Sequence, residues 1–95
     1  VEQITKISFS KLAEKQILKS PTHIKEALDI WIETIQRFGV WETRKMKGYH
    51  DEPLKGHRNG QRSVRLNRSY RVIYKESEEC TITIIVILEV NKHDY

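Results

Sequence analysis

The chain has 95 residues, of which 38% are hydrophobic and 32% charged, with 17 Lys and Arg against 13 Asp and Glu for a net charge of +4. That length leaves room for one domain over residues 1–95 and one core, and no second domain. The lone cysteine excludes an internal disulfide and a cysteine-based zinc site, and the longest apolar run, Ile84 to Leu88, is far too short to cross a bilayer. The first residues show no hydrophobic leader, so the expectation is a cytoplasmic protein with Cys80 buried as a small hydrophobe.

Ile4 to Phe9 alternates as a strand, with Thr5, Ile7 and Phe9 on one face. Ser10 is placed to cap a helix running to Lys19, with Leu12, Ala13, Ile17 and Leu18 near one side. Pro21 ends that helix and, as a first helical residue, starts a second one that runs to Phe38 and stops at Gly39. Ile24, Leu28, Trp31, Ile35 and Phe38 recur at helical spacing, widened by Ala27, Ile30 and Ile32, which reads as a core stripe. From Gly39 to Gln61 the periodicity lapses and Gly48, Pro53, Gly56 and Gly60 punctuate a long loop.

Gln61 to Leu66 and Tyr70 to Lys75 read as a hairpin joined by Asn67, Arg68 and Ser69. Val64, Leu66, Tyr70, Val72 and Tyr74 would face the helices. Alternation sends Ser63, Arg65, Arg71, Ile73 and Lys75 to the other face. An acidic turn over Glu76 to Glu79 leads to a last strand from Cys80 to Val90, apolar on both faces and therefore central in the sheet. Its odd positions, Ile85, Ile87 and Glu89, continue through Asn91 to His93. The fold class is α+β: an N-terminal strand, a helical hairpin and three antiparallel strands, with the helices on one face of a small antiparallel sheet.

Charge is uneven along this order. Val1 to Thr43 carries 6 basic and 6 acidic residues, Arg44 to Lys75 carries 10 and 2, and Glu76 to Tyr95 carries 1 and 5. A segment of net charge +8 inside a +4 protein attracts polyanions. Within it, Arg65 and Arg71 share the sheet face that the helices leave open, between a loop carboxylate, Glu52, and a tail histidine, His93. Those are the parts of a metal-free site for RNA cleavage. Such a site needs a base for the ribose 2′-OH, cations for the charge building on the phosphate, and an acid for the departing 5′ oxygen. Glu52 suits the base. Arg65 and Arg71 are planar donor forks for phosphate oxygens, and His93, of a residue type titrating near about 6.5, suits the acid. Each has a duller reading: a solvated loop Glu, a mobile terminal His, arginines paired with Glu89. His50, Asp51, His57, His93 and Asp94 have ligand chemistry but no metal-site spacing, so neither a metal nor another cofactor is expected.

At HDEPLKG from His50 to Gly56, GQRSVRLNRSYRVIY from Gly60 to Tyr74, and NKHDY from Asn91, the chain resembles toxins of the RelE/ParE superfamily from bacterial type II toxin-antitoxin modules. The resemblance runs over essentially its whole length and is strongest to the ribosome-dependent mRNA interferases of the RelE, YoeB and HigB kind. It implies an endoribonuclease that cleaves mRNA in the ribosomal A site without metal and so inhibits translation. Its partners would be a cognate antitoxin and the ribosome, with no membrane. Carried over by motif, Glu52 is the general base, Arg65 and Arg71 hold the scissile phosphate, and His93 is the acid. Lys55, Arg58, Arg62, Arg68, Lys75, Lys92 and Tyr95 would contact RNA. The ending departs from a plain His-Tyr pair by one inserted residue, and Ser63 stands where RelE-like members carry lysine. The same fold serves ParE-like gyrase inhibitors without a nuclease site, and a non-catalytic RNA or ribosome binder is a further alternative.

Overall fold

The computed structural model describes residues 4–92. His93 and Tyr95, the expected acid and a candidate RNA contact, lie outside the described residues, as does Asp94. The order is β1 (Ile4–Phe9), α1 (Lys11–Lys19), α2 (Thr22–Phe38), α3 (Val40–Arg44), β2 (Glu52–Pro53), β3 (Gln61–Arg65), β4 (Tyr70–Glu79) and β5 (Ile82–Lys92), with 3-10 turns at Lys47–Tyr49 and Gly56–Arg58. The strands form one sheet in the order β1-β5-β4-β3-β2. The three expected strands β3, β4 and β5 pair antiparallel, the unexpected β2 adds antiparallel to β3, and β1 joins the edge of β5 in parallel. β5 is thus interior to the sheet, as its two apolar faces require. None of the helices described is long and apolar enough to cross a membrane.

All three helices pack on one side of the sheet. α1 starts at Ser10, whose Oγ accepts from the Ala13 N–H at 3.0 Å and donates to the Leu88 carbonyl at 2.6 Å. One hydroxyl therefore caps a helix and ties it to β5. Pro21 precedes α2 instead of opening it, its carbonyl accepting from the N–H groups of Ile24 and Lys25. Ile24, Leu28, Trp31 and Ile35 form the buried stripe, and Trp31 meets the Tyr74 ring with centroids 5.3 Å apart. Truncating a fully buried aromatic of this kind costs roughly 3–5 kcal/mol. Ile30 and Phe38 face solvent, as do Leu12 and Leu18 on α1, so the apolar stripes are narrower than the sequence implies. A single sheet face can cover only about a third of a helix's circumference.

Gly39 ends α2 at φ 85, a left-handed value that L side chains rarely adopt. The chain does not then become a featureless loop. Val40 and Thr43 are buried on the five-residue α3, and the Thr43 hydroxyl donates to the Gly39 carbonyl at 2.8 Å. Two short turns and the two-residue β2 follow, elements too brief to show a period in sequence.

Three further expectations are corrected in the long hairpin. Glu76 to Glu79 belong to β4, and the turn is the Cys80-Thr81 pair, with Glu79 opposite Ile82. Cys80 is accordingly exposed, at φ 58, and not a core residue. Charged side chains are tolerated in that stretch because the ribbon there runs out of the core into water. The register also slips: Ile73 pairs with Glu89 but Tyr74 with Ile87, leaving Leu88 as an unpaired bulge residue. Ile85 and Ile87 therefore face the core while Glu89 and Asn91 do not, and Val90 takes the core position instead. The odd positions of β5 do not form one face.

Candidate active site

The face away from the helices is built in rows. Across the sheet, Glu52 stands opposite Ser63, Ser63 opposite Ile73, and Ile73 opposite Glu89; one step along, Arg65 stands opposite Arg71, and Arg71 opposite Asn91. Directly opposed residues project to the same side, so Glu52, Arg65 and Arg71 converge. They line one open cleft together with His50, Ser63, Arg68, Asn67 and Tyr70. The Asn67 side chain shapes its rim, accepting from the N–H groups of Ser69 and Tyr70 at 2.8 and 2.7 Å, an Asx turn that closes the hairpin.

The expected partner of the two arginines is engaged elsewhere. Glu89 accepts from Arg58 and from Asn91, and Arg58 also donates to Gln61 at 3.0 Å. The Arg58 guanidinium so spans β4 above Ile73, which is fully buried although it lies on the open face. Among the described residues neither Arg65 nor Arg71 has a side-chain hydrogen bond or carboxylate partner. The Arg71 Nε is buried and unsatisfied. A buried donor of this kind costs about 1–3 kcal/mol until an acceptor arrives.

Behind it lies a network that the sequence did not reveal. Asp51, with 3% of its side chain exposed, accepts from Arg62 Nε at 2.6 Å and from the Tyr74 hydroxyl. Arg44 lies 3.9 Å from the same carboxylate, donates to Glu76 at 2.6 Å and to Tyr74, and stacks 4.9 Å over the Trp41 ring. Burial pushes the Tyr74 hydroxyl above its ordinary range, and the bond to Asp51 pushes it further. Burial opposes the charge on Arg44, but its bonds to Tyr74 and Glu76 outweigh it and raise its pKa. The network pins the chain at Asp51 so that Glu52, the next residue, points to the opposite side.

The +8 segment therefore has two populations. Arg44 and Arg62 are held in ion pairs on the helix side, Arg62 out of the cleft, and Arg58 is paired with Glu89 on the open face. Lys55 and Lys75 are exposed, as is Lys92 beyond that segment. His50, Asp51 and His57 do not gather as ligands, and among the described residues no cluster of three or more His, Cys, Asp or Glu side chains forms.

No protein-family model matches the sequence, and no curated protein does. Solved structures do match in three dimensions. A YoeB/ParE toxin from Agrobacterium tumefaciens superposes with a TM-score of 0.73 at 17% identity, over 94% of this chain and 99% of that one. YafQ from E. coli strain BL21(DE3) gives 0.75 at 14% identity, over 94% and 93%. A chain of the RelBE2 toxin-antitoxin complex from Mycobacterium tuberculosis gives 0.68 at 23%, over 98% and 100%. The protein has the fold of the RelE/YoeB-like toxins, three helices against a five-stranded sheet.

Proposed function

We propose that this protein is the toxin of a bacterial toxin-antitoxin pair and acts as a ribosome-dependent, metal-free endoribonuclease on mRNA in the cytoplasm. The observation that carries the reading is the Arg65–Arg71 pair, without a carboxylate of its own among the described residues, in one cleft with Glu52. Glu52 takes the proton of a ribose 2′-OH, and the 2′ oxygen bonds to the adjacent phosphorus as the P–O5′ bond breaks. Arg65 and Arg71 bind the phosphate oxygens as charge grows on them. His93 gives its proton to the departing 5′ oxygen, leaving a 2′,3′-cyclic phosphate and a 5′-hydroxyl. Arg68, in the cleft lining, and Lys55, Lys75, Lys92 and Tyr95 are assigned to contacts with the RNA strand.

The similar structures from Mycobacterium tuberculosis and, as YoeB-YefM, from Staphylococcus aureus are of toxin-antitoxin complexes. That supports a cognate antitoxin for this chain, acidic enough to cover the basic cleft. A salt-resistant complex with a co-expressed neighbouring gene product is the expected outcome.

The deciding test maps mRNA 5′ ends after induction in growing bacteria, beside a Glu52→Gln, His93→Gln variant. Cuts within translated regions that vanish in the variant support the reading. Growth arrest without cuts, in both proteins, overturns it and directs attention to gyrase supercoiling.

A further inference from the structure

His50 lines the cleft, and the reaction above gives it no part. It adopts left-handed backbone at φ 47, ψ 47, closing the Lys47–Tyr49 turn with its N–H on the Lys47 carbonyl at 3.1 Å. A non-glycine L-residue holds that conformation at a cost of roughly 1–2 kcal/mol. Glycine or asparagine would suit the backbone better, and strained residues of this kind collect where a side chain is needed. The turn also sets the alternation of the next two residues, Asp51 inward to its network and Glu52 outward. The His50 ring comes out beside Glu52, with Nε2 3.8 Å from Oε2. Among the described residues it is the only ion-pair partner of that carboxylate, since Arg58 and Arg62 are engaged by Glu89 and Asp51.

We propose that His50 is a positioning residue for Glu52. In the RNA complex its Nε2–H closes from 3.8 Å to hydrogen-bond distance of Oε2 and turns the carboxylate so that the other oxygen faces the ribose 2′-OH. The separation is too short for His50 to be the acid, which must stand across the phosphate from the base in an in-line displacement. Both side chains are open to water in the free protein. Bound RNA excludes that water, strengthening and shortening the contact. The inference rests on the endoribonuclease reading.

The test is single-turnover mRNA cleavage in a translating extract by the full chain and by four variants. His50→Ala and His50→Gly lower the maximal rate about tenfold or more, since a misplacement of about 1 Å can cost on the order of 10²-fold. The concentration giving half-maximal rate stays unchanged. His50→Gly relieves the backbone and melts no lower than wild type, so its loss is not unfolding. His50→Gln, whose amide nitrogen reaches a similar position, recovers most of the rate, and exposed His57→Ala behaves as wild type. Wild-type rates in His50→Ala, or a His50→Gln variant no faster than His50→Ala, overturn the proposal alone. A wild-type chain that cuts no mRNA overturns it together with the endoribonuclease reading.

Discussion

Arg65 and Arg71 stand directly opposite each other on β3 and β4, two cations facing across one ladder with no carboxylate between them among the described residues. Opposed like charges destabilise a sheet by a few tenths of a kcal/mol up to about 1 kcal/mol. An anion reverses the sign of that contribution.

Arg71→Ala should accordingly lower cleavage on the order of 10²-fold, as loss of one donor to a developing oxyanion does, while leaving the melting temperature unchanged or slightly higher. Lys75, exposed and opposite Gln61 outside the cleft, is the comparison. Its alanine variant should cost only a few-fold. Equal losses in the two variants would mean that the face acts as a diffuse cation patch.

Asp51→Ala should be among the most damaging single changes in the chain. It strips the carboxylate from Arg62, Tyr74 and Arg44 together, and breaking a buried ion pair from one side costs roughly 3–5 kcal/mol. Asp51→Asn, which keeps an acceptor, should lose less. Urea unfolding measures both, and an alanine variant within about 1 kcal/mol of wild type would contradict a stabilising network, being no more than an ordinary surface change.

Tyr74 adds an alkaline signature. Its pKa in the folded protein is raised above the ordinary 10.0, so the folded state keeps the proton where the unfolded chain releases it. Stability is complete below about pH 10 and falls above it, by up to about 1.4 kcal/mol per pH unit. Tyr74→Phe should lower stability at neutral pH and flatten that alkaline slope. Unfolding curves through the alkaline range with identical slopes in both proteins would rule this out.

Gly39→Ala isolates a backbone effect. A Cβ there meets nothing within 4 Å, yet φ is 85. The expected loss is therefore conformational, on the order of 1 kcal/mol, without a packing defect. A much larger loss would point to a contact the geometry does not contain.

Much of the arrangement was legible because it rests on local rules. Ser10, Gly39 and the alternation of β3 and β4 located the helices and put Arg65 and Arg71 on one face. Glu52 was found through its motif, and its place opposite Ser63 follows from two residues of pairing that no pattern of that length announces. Asp51 was missed because a buried carboxylate is recognisable only from its partners, and Arg44, Arg62 and Tyr74 are distant in sequence. The ion pairs of Arg62 with buried Asp51 and of Arg58 with Glu89 were not legible, because charge counting does not distinguish a cation in water from one held by a carboxylate. The acidic stretch Glu76 to Glu79 read as a turn because composition carries no information on where a strand leaves the core.

The unpaired Leu88 shifts the count along β5 by one. Upstream of it the odd-numbered side chains serve the interior; downstream they serve the surface that carries the arginines. Deleting Leu88 would bring Glu89 directly after Ile87 in regular pairing and leave both faces of the last segment as they are, so what the extra residue adds is a local bend and a change in the numbering parity of the faces. Ser10 grips the carbonyl at that pivot, so the beginning of the first helix guards the phase in which the end of the last strand is presented.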